Sequence, residues 1–188
     1  MKTRYGRMNL LSCAPYVPSP LNIVWKMLKF ADVGPEDVVY DLGCGDGRIL
    51  FTAIKEFRAK KAVGYELRRD LYKTAIKKVE EQNLQKRITI FNDNLFEADI
   101  SEADVITLYL TTSGNERLKP KLVKEAQPGT RVVSRSFTFN GWIPIKTELF
   151  GYTDVNLYII PDAFNSSMKR RLINKHTFIN RLFERPFR

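Results

Sequence analysis

The sequence predicts an α/β fold, a doubly wound and mostly parallel sheet, on three observations. Short apolar runs alternate with amphipathic helical stretches. A glycine-rich loop sits where the first apolar run passes into a helix, and an acid, Glu66, ends the second run. Strands alternating with helices imply right-handed βαβ crossovers, hence parallel strands with helices on their faces. At 188 residues and 44% hydrophobic composition, the chain has the size of one domain and enough apolar material for a core.

The elements follow in order. Pro15, Pro18 and Pro20 give an extended opening, because a proline disfavours helix at the residue before it. Ser19-Pro20 then reads as a helix start, with Ser19 as the N-cap. Ile23, Val24, Met27, Leu28 and Phe30 follow at helical spacing, and Gly34-Pro35 ends the helix. DVVYDLG reads as a buried strand, 47–57 as a helix, KAVGYE (61–66) as the second strand and 68–83 as a charged amphipathic helix. ITIF (88–91) and ADVITLYL (103–110) are strands, and a helix over 114–126 is stopped by Pro128-Gly129. TRVVSRSF (130–137) is the fifth strand. TELF (147–150) and VNLYII (155–160), joined across Gly151, close the sheet as an antiparallel hairpin.

Charge is unevenly placed. Of the formal +10, residues 1–13 carry +3 and residues 165–188 carry +6, whereas 14–164 hold 21 basic against 20 acidic residues. A nearly neutral domain at 14–164 with two basic extensions is therefore expected. The extensions suit nucleic acid or another acidic partner, or act as solubilising ends. The segment 165–188 has the makings of a basic amphipathic helix, with His176 as a surface or packing residue. No apolar run reaches the ~18 residues of a membrane span, and the opening is too short and polar for a signal peptide. Cys13 and Cys44 make no disulfide framework, and with one histidine they make no four-ligand zinc site. A reducing, cytoplasmic setting and no metal are expected, and a monomer is favoured.

The segment Tyr40-Asp41-Leu42-Gly43-Cys44-Gly45-Asp46-Gly47-Arg48 carries the chemistry. Glycines let the backbone turn sharply and approach a ligand closely, and the following helix offers free N–H groups. The loop lacks the Lys and Ser/Thr of a Walker loop. Its G-x-G-x-G spacing differs from the G-x-G-x-x-G dinucleotide fingerprint. The acid before the first glycine repels a diphosphate. It suits a ligand with an ammonium and a sulfonium, as in S-adenosylmethionine. Glu66 stands where a carboxylate accepts hydrogen bonds from both ribose hydroxyls. The plainer reading is an ordinary tight turn between strand and helix.

VVYDLGCGDGR resembles motif I of the seven-strand, S-adenosylmethionine-dependent methyltransferases, and Glu66 matches the acid closing their second strand. Residues 14–160 more closely resemble small archaeal protein-lysine methyltransferases. That group includes the mitochondrial ATP-synthase c-subunit lysine methyltransferase type and is distantly similar to non-SET histone lysine methyltransferases. The carriers are PYVPSP (15–20), YDLGCGDGR (40–48), VGYE (63–66), NLFEADIS (94–101), TLYLTTSGNERLKPKL (107–122), PGTRVVS (128–134) and GWIP (141–144). SRSFTF departs from the more acidic or histidine-containing stretch of such proteins.

The resemblance implies a Rossmann-like seven-stranded sheet and S-adenosylmethionine as cofactor, with protein substrates bearing exposed lysines. It implies that Asp41, Gly43, Cys44 and Gly45 hold the methionine end, Glu66 the ribose, and Asn94 with Leu95 the adenine. Tyr16 and Val17, with Pro18, would close over the methyl donor. Tyr109, with Leu110, Thr111 and Trp142, would line the acceptor channel, with Tyr16, Tyr109, Thr111 and Trp142 as the catalytic set. Plainer roles exist for several: Tyr109 and Leu110 as strand core, Trp142 as a packing anchor, Asn94 as a turn residue.

Other acceptors read less well. Adenine amino methylation uses an Asn/Asp-Pro-Pro-aromatic motif where this chain has Tyr109-Leu110-Thr111-Thr112. Cytosine C5 methylation needs a nucleophilic cysteine, and neither Cys13 nor Cys44 is placed for it. Ribose methylation stays open. A small-molecule enzyme lacks an evident capping domain, and an inactive binding module would show a damaged loop or a missing acid.

Overall fold

A computed structural model describes residues 15–164. The extension 1–13 with Cys13, and 165–188 with His176 and the expected amphipathic helix, lie outside the described residues. The elements are α1 (Leu21–Phe30), β1 (Val38–Leu42), α2 (Arg48–Lys55), β2 (Lys61–Tyr65), α3 (Arg69–Glu81), β3 (Ile88–Phe91), a 3-10 turn (Leu95–Glu97), β4 (Val105–Leu108), α4 (Thr112–Glu125), β5 (Arg131–Arg135), β6 (Lys146–Phe150) and β7 (Thr153–Ile159).

The strand order is β3-β2-β1-β4-β5-β7-β6. Strands β1 to β5 pair in parallel, and β7 lies antiparallel between β5 and β6. The expected seven-stranded sheet with a closing hairpin is therefore present. Winding reverses between β1 and β4. The crevice beyond the carboxyl ends of those strands is where such sheets bind ligands.

The strands are apolar on both faces because both are covered. Val39, Ala62, Val105 and Val133 face a core built with α1, α2 and α3. Their neighbours Tyr40, Val63, Ile106 and Val132 face a second core with Leu118 and Leu122 of α4. The predicted stripe of α1, Ile23, Val24, Met27, Leu28 and Phe30, is buried as a set. Arg131 ties this helix to the sheet: its Nη1 donates to the carbonyls of Ala31 (2.8 Å) and Asp32 (2.7 Å), and its Nη2 pairs with Asp37. A cation thus sits at the helix carboxyl end, where the macrodipole favours it.

One expectation is corrected. Ser19 does not cap α1; Pro20 occupies the N-cap and makes no side-chain capping bond. The Ser19 hydroxyl instead accepts from Arg135 Nη1 at 2.7 Å, and its carbonyl accepts from Arg48 Nη1 at 2.7 Å. The charge-assisted bond from Arg135 takes the hydroxyl that a local cap would have used, and Arg48 fixes the carbonyl beside it.

Gly64 lets β2 meet α2 and the glycine loop closely. A Cβ there would stand 2.6 Å from Leu50 Cδ1 and 2.7 Å from Cys44 Sγ. Gly64→Ala should destabilise the fold by about 1–3 kcal/mol, the usual cost of overpacking. Urea denaturation of the variant against wild type measures this; an unchanged midpoint would show that Leu50 and Cys44 move aside freely.

Candidate active site

The glycine loop is fastened to the end of β2. Gly43 and Cys44 both donate their N–H to the Tyr65 carbonyl, at 2.9 and 3.0 Å. Gly45 N–H donates to Glu66 Oε2 at 2.8 Å, and Arg68 N–H donates to Glu66 Oε1 at 2.7 Å. Glu66 thereby holds the loop and the start of α3 in one register. A carboxylate offers about four acceptor sites, so both oxygens keep capacity for further donors such as a diol. Gly45 has φ +55°, and a Cβ there would come within 2.6 Å of the Tyr16 ring. Only glycine lets Tyr16 lie down on the loop.

Tyr16 belongs to the strap of residues 15–20. Its ring also receives Arg68, whose Cζ is 5.7 Å from the centroid. The strap is exposed except at Ser19, its anchor point. Arg48 is held for this task by Asp46: Nε to Oδ1 at 2.8 Å and Nη2 to Oδ2 at 3.0 Å. Lys78 reaches the same carboxylate at 3.1 Å.

Between loop, strap and strand ends lies a cavity of about 510 Å³, within the usual range for small-molecule sites. It is lined by Tyr16, Val17, Asp41, Gly43, Cys44 and Gly45, and on its other side by Glu66, Asn94, Leu95 and Tyr109. Every residue named above for cofactor binding is thus brought to one space. Asn94 serves as a turn residue as well, since its Oδ1 accepts the Phe96 N–H at 3.2 Å and caps the 3-10 turn.

Two residues of the expected catalytic set lie elsewhere. Trp142 is 5% exposed and does not line the cavity. It stacks on Phe139 (4.6 Å between centroids) and packs against Phe164 (5.0 Å) and Tyr158 (5.9 Å). Its indole is thus placed as a packing anchor among three rings. Thr111 also does not line the cavity. Its hydroxyl accepts the Gly114 N–H at 3.1 Å and caps α4. Sequence reasoning assigned no role to Arg48, Arg68 or Arg135. Arg48 ends the glycine motif and Arg68 follows Glu66 closely, so both could have been flagged; the one signal at Arg135 was that SRSFTF departs from the family pattern.

Two acids in the site are tuned in opposite directions. Asp41 is buried, and desolvation lifts its carboxyl to about 7; the Thr107 hydroxyl, donating at 2.8 Å, opposes this, while Glu66 and Asp46 add to it. No cation among the described residues pairs with it. Asp46 is partly buried too, but Arg48 and Lys78 outweigh desolvation and hold it down at about 2. Burial, then Asp41, pushes the Cys44 thiol well up, so it is no thiolate nucleophile. Desolvation, then Asp46, also raises the Tyr16 phenol. The unpaired buried Asp41 and the free acceptor sites of Glu66 fit a ligand with a cationic end and a ribose. Among the described residues no group of His, Cys, Asp and Glu is arranged to hold a metal, and no helix is long and apolar enough to cross a membrane.

The Asp41 shift has a consequence for stability. Folded Asp41 keeps a proton that the unfolded chain releases between about pH 4 and pH 7, so its burial costs stability as pH rises through that window. Asp41→Asn keeps an acceptor for Thr107 without the charge. Thermal melts of the ligand-free variant should match wild type near pH 4 and exceed it above pH 7. Equal melting points at pH 8 would show that Asp41 is already neutralised there.

With this geometry in place, comparison with known proteins is direct. Residues 41–148 match the model of the ANTKMT methyltransferase domain. The chain is 50% identical over 144 residues to a protein-lysine N-methyltransferase of Saccharolobus islandicus (strain REY15A), covering 75% of this chain and 89% of that protein. It is 30% identical over 168 residues to an ATP-synthase c-subunit lysine N-methyltransferase of Xenopus laevis, covering 89% of this chain and 73% of the relative. Among solved structures it superimposes on an RNA methyltransferase from Salinibacter ruber in complex with S-adenosyl-L-homocysteine, with TM-score 0.76 and 42% identity over 80% of this chain and 97% of that one. The glycine loop, the acid after β2 and the sheet order agree with these matches: the chain belongs to the ANTKMT methyltransferase family and is a Rossmann-like, S-adenosylmethionine-dependent methyltransferase.

Proposed function

We propose that the chain transfers the methyl group of S-adenosylmethionine to lysine side-chain amines of protein substrates, by direct displacement. The observation that carries this reading is the 50% identity to a protein-lysine N-methyltransferase across most of both chains. Bound in the cavity, the cofactor supplies a methyl group activated by its sulfonium. The chain's own residues then have positioning work, which can lower a barrier by several kcal/mol. Asp41 attracts the cationic amino-acid end, with Gly43, Cys44 and Gly45 giving it room. Glu66 accepts from the ribose hydroxyls, and Asn94 with Leu95 frames the base. Tyr16 and Val17 cover the donor from the strap, and Tyr109 guides the acceptor.

The acceptor must be a free amine, yet lysine has a pKa of about 10.4. Desolvation beside aromatic rings, close to a sulfonium, favours the neutral form. The raised Tyr16 phenol is no base near neutrality, so proton loss to water on entry serves. In this reading residues 14–164 form the catalytic domain, the basic ends 1–13 and 165–188 are extensions, and the protein works in the cytoplasm.

RNA is the second reading. The 42%-identical solved relative, described as an RNA methyltransferase, favours it, as do the basic ends. Incubating the full chain with isotopically labelled S-adenosylmethionine, total protein and total RNA separates the two. Label on lysine side chains, mapped by mass spectrometry, is expected; label in RNA alone overturns the lysine reading. For the cofactor, Asp41→Asn should weaken S-adenosylmethionine binding about ten- to a hundredfold, as expected when a hydrogen bond to a charged group is lost. Calorimetric titration measures this, and unchanged affinity removes Asp41 from the site.

A further inference from the structure

Arg135, at the end of β5, is 8% exposed. Its Nη1 donates to Ser19 Oγ at 2.7 Å, and its Cζ stands 4.2 Å from the centroid of the Tyr109 ring. Its Nη2 lies 3.5 Å from Thr153 Oγ1 on β7, and its Nε has no hydrogen-bond partner. Among the described residues it makes no ion pair. A buried guanidinium without a carboxylate is an expensive thing to keep for packing alone. This one touches the strap and Tyr109, both of which border the cavity, without lining the cavity itself.

We propose that Arg135 is a positioning residue that sets the protonation state of the bound acceptor: acting through Tyr109, its fixed positive charge disfavours the ammonium and favours the free amine. This rests on the lysine reading above. A cation already over the Tyr109 ring weakens the attraction of that ring for a second cation. Its charge also opposes an ammonium directly, on the same side of the balance as the donor's sulfonium.

Other charges face this region and act in every variant alike. The cavity carries the carboxylates of Asp41, Asp46 and Glu66, with the guanidiniums of Arg48 and Arg68. Exposed Arg69, Asp70 and Asp93 also border it, and Tyr16 covers it from the strap. On the side of β7, Asp154 is exposed. The acids would hold an acceptor protonated; Arg135 is a buried counterweight on the acceptor side.

The test is the pH dependence of kcat, which reports groups in the bound complex, set against kcat/KM, which reports free enzyme and free substrate. The full chain is assayed with saturating S-adenosylmethionine and a short synthetic peptide containing one internal lysine. Arg135→Met and Arg135→Gln should move the midpoint of the kcat profile up by about one pH unit, the order of effect of one charge across a partly screened interior. The lysine limb of kcat/KM should stay in place. Arg135→Lys, which keeps the charge, should restore the wild-type midpoint. Ser19→Ala, which breaks the strap contact and keeps the charge, should lower kcat without moving the midpoint. If wild type methylates the peptide and the Met and Gln midpoints coincide with it, Arg135 has no electrostatic role and the inference falls alone. If wild type, while binding the cofactor, methylates lysine neither in the peptide nor in total protein, the acceptor reading falls and takes the inference with it.

Discussion

Glu66 receives the Gly45 N–H on one oxygen and the Arg68 N–H on the other, and much of the site depends on that double acceptance. It fixes the glycine loop against the end of β2 and sets where α3 begins. The loop can pack so tightly only because Gly64 leaves space for Cys44 and Leu50, and because Gly45 leaves space for Tyr16. Three absences of a side chain thus have structural content: two admit neighbours, and the turn at Gly43 lets the backbone double back toward Tyr65. The carboxylate that a ribose would use is already held rigid by the backbone. It loses little freedom when a ligand arrives.

Asp41 and Asp46 show how five residues can separate two identical groups. Asp41 is the penultimate residue of β1 inside the sheet, with Thr107 as its hydrogen-bond donor, and desolvation dominates. Asp46 sits at the start of α2 within reach of Arg48 and Lys78, and ion pairing dominates. The first is a buried carboxyl with a hydroxyl donor and no cationic partner among the described residues. The second is a satisfied one that holds Arg48, and through it the strap, in place. Environment alone sets their titration apart.

The fold was legible in the sequence because alternate strand residues go to two buried faces. Val39 and Tyr40, or Val132 and Val133, are both apolar yet serve different cores, and such runs are readable as parallel strands. Motif I and Glu66 were legible because a strand, a turn and a helix place them locally. Ser19 was read from local chemistry, and Thr111 and Trp142 from the family resemblance; Ser19 and Trp142 are held by partners the sequence does not display together. Trp142 is claimed by Phe139, Tyr158 and Phe164. The partner that takes the Ser19 hydroxyl is 116 residues away. Thr111 is the milder case, since a Thr before a helix is a cap by type, and here the cap prevailed.

Arg135 resisted sequence reading for a further reason. An arginine at the end of a strand is ordinarily a solvent-facing residue, and nothing nearby in the chain suggests burial. As a stabilising device it is a poor choice. Taking a guanidinium out of water costs several kcal/mol, and an apolar side chain of similar volume in the same place is often neutral or better for the fold. The hydroxyl of Ser19 and the face of Tyr109 recover part of that cost, but Nε remains without a partner. Arg48 fixes Ser19 from the other side through its carbonyl, and Arg48 has its own carboxylate, Asp46. The strap is therefore anchored even without Arg135. What Arg135 adds that Arg48 does not is an uncompensated charge against Tyr109, on the side of the cavity where an acceptor would meet the donor.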